Sequence, residues 1–180
     1  MITAPSGPAA TLNQIKARLR IDPGWTHEDE ILTSWLKAGT DYVESLTNRK
    51  LITQEWELFR KGWGEVESEL PFGETQSLTG VFYTAPDGTE HAIGEADYRL
   101  SLPGGDYARV MFAPFIDRVP LIKAPDAIRI RFVCGYGPDE SYIPEVLKDA
   151  IALYVMGIRN DDDIEDIIEA LASQYRYHII

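Results

Sequence analysis

Three histidines, His27, His91 and His178, are the first candidates for metal or acid–base chemistry. They stand far apart, and none completes an H-x-x-x-H or H-x-x-E-H spacing, so they read as surface residues. Asp161, Asp163 and Glu165 have the look of a calcium loop. The sixth position is Asp166 where an EF-hand needs Gly, and no Glu follows at the twelfth, so an acidic helix cap is the better reading. Nucleophilic catalysis finds no G-x-S-x-G elbow, and the single Cys134 ends a strand-like run with no cue for a His partner. It reads as a small buried thiol. "GWGEVE" and "GYGPDE" each lack the third glycine and the Lys-Ser/Thr of a phosphate loop. Carboxylates abound, but nothing in their spacing singles out a glycosidase-type pair. The residues point to no catalytic site, no metal site and no cofactor.

The chain has 180 residues and 44% apolar content, enough for one ordinary core with one inserted subdomain. Seventeen basic against 29 acidic residues leave a net charge of −12. Such a surface repels phosphate backbones, so wrapping nucleic acid is disfavoured, whereas a wall that nucleic acid slides past is compatible with it. One cysteine permits no intramolecular disulfide and no cysteine zinc cluster, which suits a reducing cytoplasm. "MITAPSGPAATL" shows neither the basic nor the apolar region of a signal peptide. The longest apolar run, around "AIALYVMGI", falls short of the roughly 20 residues a spanning helix needs. Gly135-Tyr136-Gly137, which alone suggests a potassium-selectivity filter, therefore has no membrane to sit in.

These residues must be positioned by a helix–helix–β–helix–helix layout. Met1–Ala10, rich in Pro, Gly, Ser and Ala, reads as a flexible arm. Thr11 and Gln14 form a capping box for a short helix carrying Leu12, Ile15 and Leu19 on one face, ended by Asp22-Pro23-Gly24. A second helix is expected from near Thr26, with Leu32, Leu36, Gly39, Val43 and Leu46 as its stripe and Trp35 and Tyr42 as flanking core residues. From Ile52 to Val133 the period is two. Strands are expected at 52–59, 66–70, 78–83, 90–93, 98–102, 108–112 and 127–133, divided by turn signals such as Pro86-Asp87-Gly88 and Pro103-Gly104-Gly105. In the last, Ile128, Ile130 and Phe132 alternate with Arg129 and Arg131, as in a half-buried antiparallel strand. Gly135, Tyr136, Gly137 and Pro144 then form a joint, the glycines making a sharp exit and Pro144 fitting the first turn of the next helix. Leu147, Ile151, Tyr154 and Ile158 stripe that helix. Asp163 is the expected cap of a last one bearing Ile164, Ile167, Ile168 and Leu171.

The fold class is thus α+β: a small bundle of about four helices over 11–51 and 136–172, an inserted antiparallel β subdomain over 52–135 between the second and third helices, and a tail over 173–180. The tail, Tyr175, Arg176, Tyr177, His178, Ile179 and Ile180, is apolar where polar residues are expected. It either folds back on its own helices or docks on another protein. Two Tyr and two Ile offer roughly 10–15 kcal/mol gross at ~25 cal/mol per Å². Ordering the tail costs about 1–2 kcal/mol per residue. A single tail binds weakly, whereas a ring of tails gains by avidity. Two rival readings place function in the β region: a carboxylate-based hydrolase, or a carbohydrate- or peptide-binding module using exposed Trp56 or Trp63.

Several local patterns, in this order, resemble the head–tail connector (adaptor) proteins of long-tailed bacteriophages and gene-transfer agents. They are Lys16 and Leu19-Arg20-Ile21; Ala38, Tyr42-Val43-Glu44, Thr47 and Arg49; Leu51, Gln54 and Trp56; Gly135-Tyr136-Gly137; Ile143-Pro144, Leu147-Lys148 and Ala150-Ile151; and Tyr175-Arg176. The stretch "GIRNDDDIEDI" is more acidic than the family pattern. The resemblance implies a non-enzymatic structural protein of the virion, made in the host bacterial cytoplasm and sited at the head–tail junction. It implies a ring, typically of twelve copies, beneath the portal protein, extending the DNA channel and carrying a stopper or tail-completion protein. The C-terminal segment is then the portal-binding element, and double-stranded DNA is met only in transit, without sequence-specific binding.

Overall fold

The computed structural model describes residues 1–66, 69–102, 104, 107–114, 116 and 119–178. It is a mixed α+β chain that divides into two compact units, a helical unit of residues 5–53 and 136–178 and a β unit built mainly of residues 54–135 with residues 1–4.

In the helical unit, α1 (Leu12–Arg18) opens with the expected capping box. Thr11 Oγ1 accepts the Gln14 N–H at 3.2 Å, and Gln14 Oε1 accepts the Thr11 N–H at 2.7 Å. Helix α2 (Asp29–Thr47) starts later than Thr26, because Thr26 closes a turn whose carbonyl takes the Asp29 N–H. It ends where Asn48 turns left-handed at φ 52°. Leu32, Leu36, Gly39 and Val43 are buried as the stripe requires, and Trp35 and Tyr42 pack on the same core. Gly39 lets α2 approach α4 (Glu145–Asn160): a Cβ there would sit 3.0 Å from the Tyr154 ring and 3.3 Å from the Ile151 carbonyl. Leu147, Ala150, Ile151 and Val155 face inward, while Ile158 stays exposed.

Helix α5 (Glu165–Ala172) has Ile164, not Asp163, at its cap, with no side-chain capping bond. Packing sets this start. Asp161 reverses the chain at φ 57°, Asp162 N–H bonds the Gly157 carbonyl, and the Ile164 side chain lies over Gly157. A capping hydrogen bond is worth about 1 kcal/mol, less than the burial of an isoleucine.

In the β unit, β1 (Gln54–Arg60), β6 (Ile128–Cys134), β2 (Thr75–Thr84) and β3 (Glu90–Ala92) form one antiparallel sheet in that spatial order. Strands β4 (Tyr98–Ser101) and β5 (Arg109–Phe112) form a separate pair. The central β6 alternates as its sequence dictates. Ile128, Ile130, Phe132 and Cys134 are buried, and on the other face Arg131 and Arg129 pair with Glu57 at 2.8 and 3.3 Å. Both guanidiniums also lie over the Phe82 ring. A charged face is thereby neutralised locally, as cross-strand pairs do.

The expected strand at 66–70 is not one. Trp63–Val66 is a helical turn (α3), and Glu69 makes only an isolated bridge with Arg109; residues 67 and 68 lie outside the described residues. The turn wins because Glu65 binds back: its carboxylate takes the Lys61 N–H at 3.2 Å and pairs with Lys61 Nζ at 2.9 Å, while Arg60 Nε holds its carbonyl.

The arm expected to be loose over 1–10 has partners in the structure. Ile2 and Thr3 bond the edge of β1 at Glu55, Ser6 Oγ donates to the Pro138 carbonyl at 2.6 Å, and Ala9 and Ala10 are buried in the helical core. Main-chain pairing and two small apolar side chains supply what its composition does not announce.

Candidate functional site

The C-terminal segment is held by the end of α2. The last turn of a helix leaves main-chain carbonyls without helical partners. Here Tyr177 N–H donates to the Thr47 carbonyl at 2.7 Å, and Arg176 Nε donates to the Leu46 carbonyl at 3.0 Å. Two residues just past that helix answer in return. Asn48 Nδ2 donates to the Tyr177 carbonyl at 3.0 Å, and Arg49 Nε donates to the Tyr175 carbonyl at 2.5 Å. Asn48 tolerates the left-handed turn that aims it there. Tyr177 is 1% exposed and Tyr175 packs partly against the helical core. His178 is exposed; Ile179 and Ile180 lie outside the described residues. The described part of the tail therefore folds back on its own unit, the first of the two arrangements its composition allows. Asn48 and Arg49 are its receptor. Arg49 stands among the family-like residues, but no sequence signal ties it to a carbonyl more than a hundred positions away.

The Gly135–Pro144 stretch is built as a set of main-chain links. In the β unit, Gly135, at φ 128°, donates to the Glu74 carbonyl at 3.1 Å and accepts from Gln76 Nε2 at 2.5 Å. In the helical unit, Tyr136 N–H bonds the Leu51 carbonyl and the Gly137 carbonyl accepts the Thr53 N–H at 2.8 Å. Gly137 lies under Tyr142: a Cβ would fall 2.2 Å from the ring. Asp139 caps the turn at Glu140–Tyr142 through Ser141, and the Ser141 hydrogen bonds hold its carboxyl below the usual range. Pro144 stands at the cap of α4 rather than inside its first turn, and its carbonyl receives the Leu147 and Lys148 N–H groups.

Other family-like polar residues do similar work. Lys16 is 1% exposed, and its Nζ reaches the Pro23 and Trp25 carbonyls at 3.2 and 2.8 Å and Asp29 at 2.5 Å. It ties the α1–α2 connection to both helices. Glu44 accepts the Leu51 N–H at 2.9 Å and Lys50 Nζ at 2.7 Å, turning the chain after α2. Lys148, also buried, donates to the Glu140 carbonyl at 3.3 Å and pairs with Glu145.

The residues considered for chemistry do not converge. His27 packs against Trp25 with the rings tilted by 60°, His91 stacks on Tyr83, and Cys134 is buried. Among the described residues no group of three His, Cys, Asp or Glu side chains is placed to hold a metal. Among them, too, no helix is long and apolar enough to cross a membrane. Trp56 and Trp63 are half-buried, with indole N–H groups bonded to Gln54 Oε1 and to the Val119 carbonyl at 3.1 and 2.8 Å. A sugar platform needs an open ring face, and these rings pack on Phe72, Tyr83 and Phe112. Glu65, Asp87, Asp139 and Glu145 are all held below the usual carboxylate range by hydrogen bonds. A general acid needs the opposite displacement.

The polar groups of Lys16, Glu44 and Arg49 are satisfied by links to main-chain and side-chain groups of the same chain. No curated protein matches the chain. The fold is that of chains in three solved assemblies. One, from the virion of a native gene transfer agent particle, matches with a TM-score of 0.79 at 23% identity, covering 99% of this chain and 95% of that one. Another, from the neck of an empty gene transfer agent particle computed with C6 symmetry, gives 0.76 at 24% identity, with coverage of 99% and 95%. A third, from the neck of a native particle computed with C12 symmetry, gives 0.71 at 21%, covering 100% and 97%. Residues 9–80 match the family model of the phage gp6-like head-tail connector protein. That match spans α1, α2, β1 and most of β2, so over this part the chain is similar to the head-tail connector proteins.

Proposed function

We propose that this protein is a structural, non-enzymatic component of the head–tail junction of a phage or gene-transfer-agent particle. Copies of it form a ring, twelvefold, beneath the portal protein, extend the DNA channel and offer the platform for a stopper or tail-completion protein. The observation that carries this reading is the full-length fold match to chains of gene transfer agent necks, one of them computed with C12 symmetry. The net charge of −12 supports a channel wall that does not retain DNA in transit, since like charges repel at close range. The protein is made in the host cytoplasm and functions in the virion.

The portal contact is assigned to the C-terminal segment, Tyr175 to Ile180. Tyr177 fills its own subunit in the free chain, so the reading requires either that His178 and the residues after it make the contact, or that the segment leaves α2 on assembly. Truncations separate the two. The test is capture of a ring on the cognate portal, seen by electron microscopy. Loss of capture on removing His178–Ile180, with an unchanged melting temperature, is the expected result. Normal capture by a chain lacking Tyr175–Ile180 would reject the tail as the portal contact.

A further inference from the structure

Residues 1–4 run along the edge of β1 with an isolated antiparallel bridge at Thr3–Glu55, bound almost wholly through the main chain. Ile2 and Thr3 N–H reach the Glu55 carbonyl at 2.7 and 3.3 Å, Glu55 N–H returns to the Thr3 carbonyl at 3.2 Å, and Thr3 Oγ1 donates to Glu55 Oε2 at 3.2 Å. The side chains gain little: Met1 is 61% and Ile2 48% exposed. By strand alternation, Glu57 and Phe59 present their main-chain groups to the same edge. No described strand covers that edge beyond Glu55, and Phe59 is 49% exposed there. This segment is tethered to the helical unit by Pro5-Ser6-Gly7-Pro8, with the chain first buried again at Ala9. Two prolines and a glycine keep that tether out of regular structure and give it a pivot.

A strand recognised by main-chain pairing binds any edge of the same sequence. Pairing with its own edge leaves Met1 and Ile2 exposed, so little besides main-chain bonds ties the arm to its own chain, and the same bonds form on a second copy's edge. We infer that Met1–Ala4 is a linking strand that, in the assembly, lies on the β1 edge of a neighbouring copy. The occupant is committed to this chain's own arm because that is the sequence the edge already holds. Such a contact is head-to-tail, the kind that closes into rings, and adjacent copies supply the local concentration that makes a weak strand effective. The inference rests on the ring-forming reading for its setting and on the arm's geometry for its contacts.

The test uses two full-length single variants, Thr3→Cys and Glu55→Cys, neither of which can bridge positions 3 and 55 within one chain. They are mixed in equal amounts and mildly oxidised, both as concentrated free protein and as rings collected on the portal. Circular dichroism checks that each variant is folded. The expected result is a 3–55 linked heterodimer, identified by mass spectrometry, in at least about tenfold excess over a mixture using Asp87→Cys, an exposed turn of the same unit, in place of Glu55→Cys. Equal yields in both settings overturn the inference. Portal capture without 3–55 bridging rejects strand exchange alone, and bridging without portal capture rejects the portal reading alone.

Discussion

At the residue scale, the informative positions are those where a single atom has no alternative place. Gly137 is one, since the added methyl of Gly137→Ala would strike the base of the Tyr142 ring. We expect that substitution to cost about 1–3 kcal/mol, as overpacking does. Gly137→Ala combined with Tyr142→Gly should recover most of the clash cost, because it removes both the ring and the Cβ that the added methyl would strike at 2.2 and 2.5 Å, and Tyr142 is itself exposed. Chemical denaturation of the single and double variants measures this, and strictly additive losses would contradict it. Glu145 offers a pH signature. Its carboxyl is held low first by the Lys148 hydrogen bond and then by Arg18. A lowered carboxyl stabilises the fold fully above its ordinary value of about 4.3, and that contribution is lost as pH falls through the lower folded value. The melting-temperature gap between wild type and Glu145→Gln should therefore be steady at neutral pH and close on acidification below about pH 4. A gap that persists at pH 2 would show that the ion pair is not its source.

At the scale of elements, two polar clasps decide how helices connect. Lys16 satisfies two carbonyls of the α1–α2 connection and faces Asp29 at the start of α2. Lys16→Met keeps the volume but strands those acceptors, and the expected loss is about 2–3 kcal/mol by urea titration. A neutral outcome would mean that water replaces the ammonium without cost. The second clasp is the tail on α2. Tyr177→Ala removes a buried ring, and about 3 kcal/mol is expected from cavity formation alone. Hydrogen exchange should show the last turn of α2 opening more readily in that variant, because Thr47 and Leu46 lose the groups that cap them. Unchanged protection there would separate the tail from α2. The first clasp is half legible in sequence, as a lysine in a family-like position. Its carbonyl partners are not, because no residue type marks a carbonyl that needs a donor.

At the scale of the whole molecule, net charge governs association. Copies carrying −12 each repel one another until salt screens them. Self-association should therefore strengthen as ionic strength rises from about 10 mM to 150 mM, where the Debye length falls from roughly 30 to 8 Å. Sedimentation velocity across that range is the measurement, and weaker association at the higher salt would point instead to an interface built on opposite charges. The resemblance to head–tail connectors was also readable at this scale, through the order of short structural patterns along the chain. The head-tail connector match over residues 9–80 takes in those patterns from Lys16 to Trp56.

Periodicity and local chemistry suffice for what depends on neighbours in sequence. The capping box of Thr11 and Gln14, the stripe of α2, the alternation of β6, the β insertion between the second and third helices, and the buried state of Cys134 all follow from spacing, since burial selects one face of a helix or strand. Tertiary structure alone decided the features set by contacts distant in sequence. These are the helical turn at Trp63–Val66, the start of α5 at Ile164 over Gly157, the pairing of the arm with Glu55, and the capture of Tyr175–Tyr177 by Leu46 through Arg49. The last two are made largely to main-chain atoms, which every residue carries alike, so no letter of the sequence distinguishes the position that will be bound.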